Sequence, residues 1–399
     1  MQILLVTCGA AHLPHVARAL QARDALAGLW ITDKNRVGIA PDKYRRAWIF
    51  HLAMKPFYHL TSLGFREKMI HVLLPLWKFW VRRQKPGPCD AIYAQMGYGT
   101  EAFDLAERIG ALKVADSSNG HPTSFFGFWQ RECDIWCPGA KVGIPRRMFA
   151  RVNRELERAD IILCPSTYVR DSMIYNGISE DKCVINPYGV DTSIFKPRTQ
   201  VPAKPCFICV GGICLRKGHQ YLFRAFEKVR KVFPEAELIC AGGYYPDFRQ
   251  ERPRWEGTFT HVEGLPQPEL AKLLNRASAF VLPSNEESIA RSIVEAMGAG
   301  LPIIGTYESG APTLVQDGAE GLIVKARNVD SIAEAMIKLA RDPELNRKMG
   351  EAAYARGARN NSWGDYADRL IKIVGNELAA RTGRGSSPPG QRLAAKPPA

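Results

Sequence analysis

The 399-residue chain lacks any apolar run of the ~18–20 residues that a membrane-spanning helix needs. Its longest candidate, Met69 to Trp77, is short and carries His71 and Pro75. No cationic lead-in precedes the apolar start MQILLV, which reads as a buried first strand rather than a signal peptide, so a cytoplasmic protein is expected. Metal-ligand spacings are equally scarce. Cys206 and Cys209 form a lone C-x-x-C inside the strand-like CFICV with no second pair of matching spacing, and most of the ten cysteines sit in apolar runs. They read as buried thiols. The GK[ST] ending of a Walker loop is absent after Gly211-Gly212, and no Asp-x-Asp stands near a glycine-rich loop.

Acidic residues are sparse where cations are dense. Between Lys34 and Lys85 there are twelve Lys/Arg against Asp42 and Glu67, in a chain of net charge +14. On charge alone, an anionic partner (a membrane surface, a lipid phosphate or a nucleic acid) and a solvated cationic helix face fit this stretch equally. From Arg381 the tail has four cations, no acid and no aromatic residue, and 381–399 is expected to be disordered.

What is present points to two domains, as the length also suggests. In the second half, apolar runs at Phe207–Val210, Leu238–Gly243, Phe280–Pro283, Pro302–Gly305 and Gly321–Val324 alternate with helical patterns at Leu270–Ala277, Ile289–Ala299 and Ser331–Arg341. Continuous apolar strands alternating with helices indicate a parallel sheet covered on both faces, a Rossmann-like α/β domain. The first half repeats this with strands at Ile3–Val6, Leu29–Thr32, Ala91–Ala94, Lys113–Ala115 and Ile161–Cys164. The expected organisation is an N-terminal Rossmann-like domain over 1–197, with 34–88 as a basic, aromatic helical insertion, and a C-terminal Rossmann-like domain over 204–362. Prolines between Pro197 and Pro205 mark the linker, and a last helix over 363–379 packs back toward the first domain.

Two segments carry chemistry. In NEESIARSIVEAMGAGLPIIGT (285–306), Glu287 precedes a helix and Glu295 lies about two turns on, a spacing that brings both carboxylates toward a similar side. The amides of Ser288, Ile289, Ala290 and Arg291 then form the unpaired first turn, an anion site strengthened by the helix dipole. A carboxylate is a bidentate partner for a vicinal diol, so one acid can hold a ribose and the other a hexose with phosphate between. In GGICLRKG (211–218), a glycine turn leads to Arg216 and Lys217, a flexible approach plus cations suited to a diphosphate.

These segments, in this order, resemble the donor-binding half of retaining GT-B glycosyltransferases of family four. The family's Glu-x7-Glu motif is matched by Glu287 and Glu295, its following Gly-x-Pro run between Ala296 and Pro302, and its Gly-x5-Lys-Gly element by Gly211, Lys217 and Gly218. Pro283-Ser284, Gly310-Ala311-Pro312, Asp317-Gly318 with Gly321-Leu322, and PYGVD (187–191) followed by Phe195 also match.

The resemblance implies a GT-B architecture, with two Rossmann-like domains facing a central cleft, and transfer of a sugar from a UDP- or GDP-sugar with retention of configuration. It implies that Arg216 and Lys217 neutralise the donor diphosphate, that Glu295 holds the ribose and that Glu287 faces the sugar. Backbone at Gly264 and Leu265 would meet the base, and His121 in SSNGHP would contact the transferring sugar. Gly9 and Ala10 would leave room for donor and acceptor. No metal or cofactor is expected, since the cations supply the charge neutralisation. The chain departs from the pattern at Gly212, where the family often has arginine, at Ser288-Ile289-Ala290 in place of Gly-Phe-Gly, and at Thr313 in place of an acid.

The acceptor is open: a glycan, a lipid-linked glycan or a small molecule. The aromatic, basic stretch suggests peripheral contact with an anionic membrane. A nucleic acid is not expected, because the cations precede the donor domain and no recognition signature appears. A catalytically silent GT-B scaffold is the competing reading.

Overall fold

The computed structural model describes the chain except residues 10–11, 55–64, 140–145, 192, 358–360 and 385–399. Among the described residues, two parallel sheets organise the molecule. The first is built from β1 (Ile3–Val6), β2 (Leu26–Ile31), β3 (Tyr44–Arg46), β4 (Ala91–Gln95), β5 (Leu112–Asp116), β6 (Ile161–Cys164) and β7 (Cys183–Ile185) in the order β3-β2-β1-β4-β5-β6-β7. The second takes β8 (Cys206–Val210), β9 (Glu237–Ala241), β10 (Thr260–Val262), β11 (Ala279–Leu282), β12 (Ile303–Thr306) and β13 (Gly321–Val324) in the order β10-β9-β8-β11-β12-β13. Each order reverses direction once, between β1 and β4 and between β8 and β11. In such sheets the crevice at the carboxyl ends beside the reversal is where ligands bind.

The strands are apolar on both faces because both are covered. Ile3 and Leu5 of β1 join one core, while Leu4 and Val6 join another. The helices supply the cover: α1 (Leu13–Gln21), α2 (Trp48–Met54), α3 (Phe65–Arg83), α4 (Thr100–Ile109), α5 (Pro122–Trp136), α6 (Arg146–Arg158) and α7 (Thr167–Tyr175) in the first half. The second half adds α8 (His219–Val232), α9 (Arg252–Trp255), α10 (Gln267–Leu274), α11 (Arg291–Gly298), α12 (Ala311–Leu314), α13 (Val329–Arg341) and α14 (Pro343–Gly357). The last helix, α15 (Trp363–Arg384), returns to the first domain and packs on α1, with Arg23 Nε 2.5 Å from Asp368.

Several expectations change. The 34–88 stretch is not helical throughout: β3 pairs with β2 as an edge strand before α2 and α3 begin. β3, β7 and β10 have three residues each, too short to show a period, and they exist because a neighbouring strand offers its edge. The final helix runs past 379 to Arg384, so 381–384 is not a disordered tail. Arg381 is held by Asp160 at 2.6 Å and Glu377 at 3.5 Å, and 385–399 lies outside the described residues. Among the described residues the cysteines form no disulfide, and Cys206 and Cys209 are buried in β8. Burial pushes the Cys209 thiol up to about 12, so it is inert.

Candidate functional site

The glycine loop after β8 and the polar loop after β11 meet at the reversal point of the second sheet. Asn285 stitches them together: its N–H donates to the Arg216 carbonyl at 2.9 Å and its side-chain amide to the Leu215 carbonyl at 3.1 Å. The Ser292 hydroxyl donates to the carbonyl of Val210 at 3.2 Å, fixing the start of α11 against the end of β8. Lys217 Nζ lies 2.5 Å from Glu287 Oε2, and Arg216 Nη1 lies 3.1 Å from Glu287 Oε1 and 3.3 Å from Glu286 Oε2. Two cations and two carboxylates thus share a buried space.

The adjacent acids titrate in opposite directions. Burial pushes Glu287 up, but Arg216 and Lys217 outweigh it and hold the carboxyl at about 2. Burial dominates at Glu286, whose carboxyl rises to about 7 despite Arg216 on one oxygen. Its other oxygen accepts a 3.4 Å hydrogen bond from the Gly120 N–H of the first domain.

The helix-dipole expectation shifts by three residues. α11 begins at Arg291, with Ala290 extended at φ −77°, ψ 112° as its cap. Ser288, Ile289 and Ala290 are therefore an irregular lead-in, not a first helical turn. The Ser288 carbonyl accepts a 2.5 Å hydrogen bond from the Ser166 hydroxyl across the cleft, which ties the segment to the first domain. Glu287 is thus off the helix, and its alignment with Glu295 comes from the loop rather than from helical spacing.

A cavity of about 390 Å³ opens over this loop. It is lined by Gly211, Lys217, Glu287, Ser288, Ile289, Ala290, Arg291 and Glu295 from the second domain and His12, Gln95, Ser118 and Tyr188 from the first. A second cavity of about 640 Å³ shares Arg291 and Glu295 with it and adds Gln267, His15, Arg18 and Trp363. Burial raises the Glu295 carboxyl, partly offset by Arg291 and by a hydrogen bond with Gln267. Cavities of this size take ligands of several hundred daltons.

Not every expected residue reaches this space. Arg216 stands behind Glu287, outside the cavity lining. His121 is buried, with burial lowering its pKa. Its Nδ1 accepts from the Thr123 N–H at 3.3 Å, capping α5, and the ring does not line either cavity. Gly264 and Leu265 lie on an exposed turn, just before the Gln267 that does line the larger cavity. Gly9 sits at φ +140°, leading into the undescribed Ala10 and Ala11.

Two further residues belong to the site without a motif to mark them. His12, 6% exposed, lines the cavity with Nε2 3.1 Å from Asp116 Oδ2. Glu286 is the buried neighbour of the acid that drew notice. The only signal for His12 was its place just after the Cys8-Gly9 turn of β1, where side chains face a cleft. The departures have structural counterparts. A Cβ on Gly212 would fall 2.2 Å from Tyr245 Cε2, so that ring occupies the space an arginine would need. Thr313 Oγ1 accepts the Thr167 N–H at 2.9 Å, joining the two domains.

Two facing Rossmann-like sheets with a cation–carboxylate pair at one reversal point define a GT-B sugar transferase. Residues 191–356 match the model of the family described as glycosyl transferases group 1. The chain is similar to that family over this segment, and it is a retaining-type, nucleotide-sugar-dependent glycosyltransferase with the GT-B fold. It is 26% identical over 299 residues to a GDP-mannose-dependent alpha-(1-6)-phosphatidylinositol monomannoside mannosyltransferase of Mycolicibacterium smegmatis, covering 69% of this chain and 74% of that one. The fold superposes on a sucrose-phosphate synthase of Thermosynechococcus elongatus with TM-score 0.72 and 18% identity, over 95% of this chain and all of that one. An Anabaena protein solved with UDP-glucose aligns with TM-score 0.65 and 12% identity, over 94% of this chain and all of that one.

Proposed function

We propose that the enzyme transfers a hexose from a nucleoside diphosphate sugar, of the GDP-mannose or UDP-hexose kind, to a glycolipid or glycan acceptor at an anionic membrane. The observation that carries the donor reading is Lys217 on Glu287 at the mouth of the smaller cavity, 2.5 Å apart. A diphosphate entering there takes over Lys217, freeing Glu287 to face the sugar hydroxyls. Arg216, behind Glu287, orients that carboxylate. Glu295, at the junction of both cavities, binds the ribose, and the larger cavity takes the base. The amides at the start of α11 lie beside the diphosphate. Lys217 and these dipoles stabilise the leaving nucleotide, and its phosphate accepts the proton of the attacking hydroxyl on the same face. His121 serves by position: it caps α5 and follows Gly120, whose N–H meets Glu286.

The acceptor reading rests on relatives and on the surface. The mycobacterial relative is named for a phosphatidylinositol mannoside acceptor. Trp48, Leu52, Val72 and Phe79 of α2 and α3 are 57–65% exposed, and Arg83 lies 4.1 Å over the Phe79 ring. An exposed apolar row among cations is suited to an anionic interface. Among the described residues, no helix is long and apolar enough to cross a membrane.

A screen of nucleotide sugars for thermal stabilisation and turnover tests the donor reading. Lys217→Ala is expected to lower kcat/KM about 10²–10³-fold while the protein still folds. Full activity in Lys217→Ala would sink the site assignment.

A further inference from the structure

A third cavity, of about 150 Å³, lies in the first domain and is mainly apolar where the other two are mixed. Met96, Phe125, Phe126, Met148, Phe149 and Val152 form its walls. The aromatic wall is interlocked: Phe125 and Phe126 meet edge to face at 4.7 Å, and Phe126 meets Phe149 at 4.6 Å. The floor is the carboxyl end of β4 and the loop after β5, the ligand-binding edge of the first sheet. Gln95 and Ser118 line this cavity and the donor cavity alike, so the two adjoin. Both shared side chains are already tethered: Gln95 Oε1 accepts from the Thr7 hydroxyl at 2.6 Å, and the Ser118 hydroxyl donates to Asp116 at 3.2 Å.

We infer that this cavity is the acceptor subsite for an apolar group attached close to the hydroxyl that receives the sugar. The inference rests on the donor assignment above, because that assignment makes the neighbouring space the place of transfer. A glycan without an apolar substituent would leave this wall facing water. A space of this size takes a guest about as large as benzene, so it fits one aromatic ring or a short stretch of alkyl chain. The position favours an amphiphile. Val152 and Met148 of α6 pack into the same core as Phe50 of α2 and Trp77 of α3. The subsite therefore lies on the same side of the first sheet as α2 and α3, with α4 packed between α3 and α6, so a substrate drawn from an interface reaches it without crossing the sheet.

The test uses the full-length protein with ¹³C-methyl-labelled methionine and three probes: methyl, phenyl and octyl glucoside, the last below its micellar concentration. The Met96 and Met148 methyl resonances are expected to move with the phenyl or octyl probe and to stay in place with the methyl one. Movement with phenyl alone assigns the site to an aromatic substituent, and with octyl alone to a lipid chain. No movement, or equal movement with methyl glucoside, overturns the subsite. Val152→Phe, which fills the cavity, is expected to abolish the Met96 response while nucleoside diphosphates stabilise the protein as before; an undiminished response in the filled protein also overturns it. Should that variant not fold, Met148→Trp fills the same space from the half-exposed rim, again read at Met96. Loss of nucleotide stabilisation in the unsubstituted protein would instead count against the donor assignment, and the methyl shifts would remain a separate result.

Discussion

Glu286 and Glu287 are neighbours in sequence with opposite electrostatics. Glu287 touches Lys217 and Arg216, whereas Glu286 keeps only Arg216 and the Gly120 N–H. The second cation decides the sign, because both groups suffer the same burial. Linkage follows. Glu286 is raised from 4.5 to about 7, so its contribution to stability is full below 4.5 and is lost as pH rises through about 7. Glu287 is lowered from 4.5 to about 2, so its contribution is full above 4.5 and is lost as pH falls through about 2. The windows do not overlap. Glu286→Gln is therefore expected to flatten the decline of the thermal midpoint between about pH 4.5 and pH 7, an effect on the order of 1–3 kcal/mol. Differential scanning fluorimetry across that range checks it; an unchanged slope would refute the assignment.

At the scale of elements, the start of α8 and the whole of α5 matter most. Gly218 caps α8 at φ +75°, and a Cβ there would fall 2.1 Å from the Pro283 carbonyl. The turn that aims Lys217 thus requires glycine for both backbone conformation and space. Gly218→Ala is expected to cost at least about 1–3 kcal/mol and to weaken nucleotide binding, measured by calorimetry, more than Lys217→Met does at constant fold. α5 starts at the His121 cap and ends against the second domain. Glu132, fully buried, accepts from Gln220 at 2.9 Å and Tyr221 at 3.1 Å, and meets Arg327 at 2.7 Å. Trp129 donates to Asp247 at 3.3 Å, and Arg224 lies over Trp136 at 4.2 Å. One helix therefore links the loop beside Glu286 to the far domain. Glu132→Ala leaves three donors without their acceptor and is expected to cost about 2–3 kcal/mol, reduced from a fully buried pair because Arg327 is partly exposed. Urea unfolding measures the loss, and faster amide exchange in α5 would place it at this contact.

The whole molecule carries charge +14, with much of that excess between Lys34 and Lys85. The fold places part of this stretch as an outer layer, α2 and α3, whose inner side chains Phe50 and Trp77 are buried and whose Trp48 and Phe79 are exposed. Flotation with anionic vesicles is expected to carry the enzyme, less so as salt is raised toward ~1 M. Trp48→Ser with Phe79→Ser is expected to weaken partition about tenfold or more. Equal flotation with neutral and anionic vesicles would refute an electrostatic contribution.

The sequence by itself determined the fold class and the class of activity. Continuous apolar strands alternating with helices specify two parallel sheets, and the Gly211–Gly218 and Glu287–Glu295 segments carry the family's spacing because backbone turns and cation placement are local properties. The three-residue strands were beyond it, since such strands form only where a neighbour's edge is offered. So was the start of α11: the helix begins only at Arg291, after a lead-in that Ser166, 122 residues earlier, ties to the first domain through the Ser288 carbonyl. Only the tertiary structure set Glu286 apart from Glu287, brought His12 rather than the His121 ring to the cleft, and built an apolar cavity between α5 and α6. Each depends on burial and on partners from the other domain or from distant segments, and no spacing along the chain encodes either.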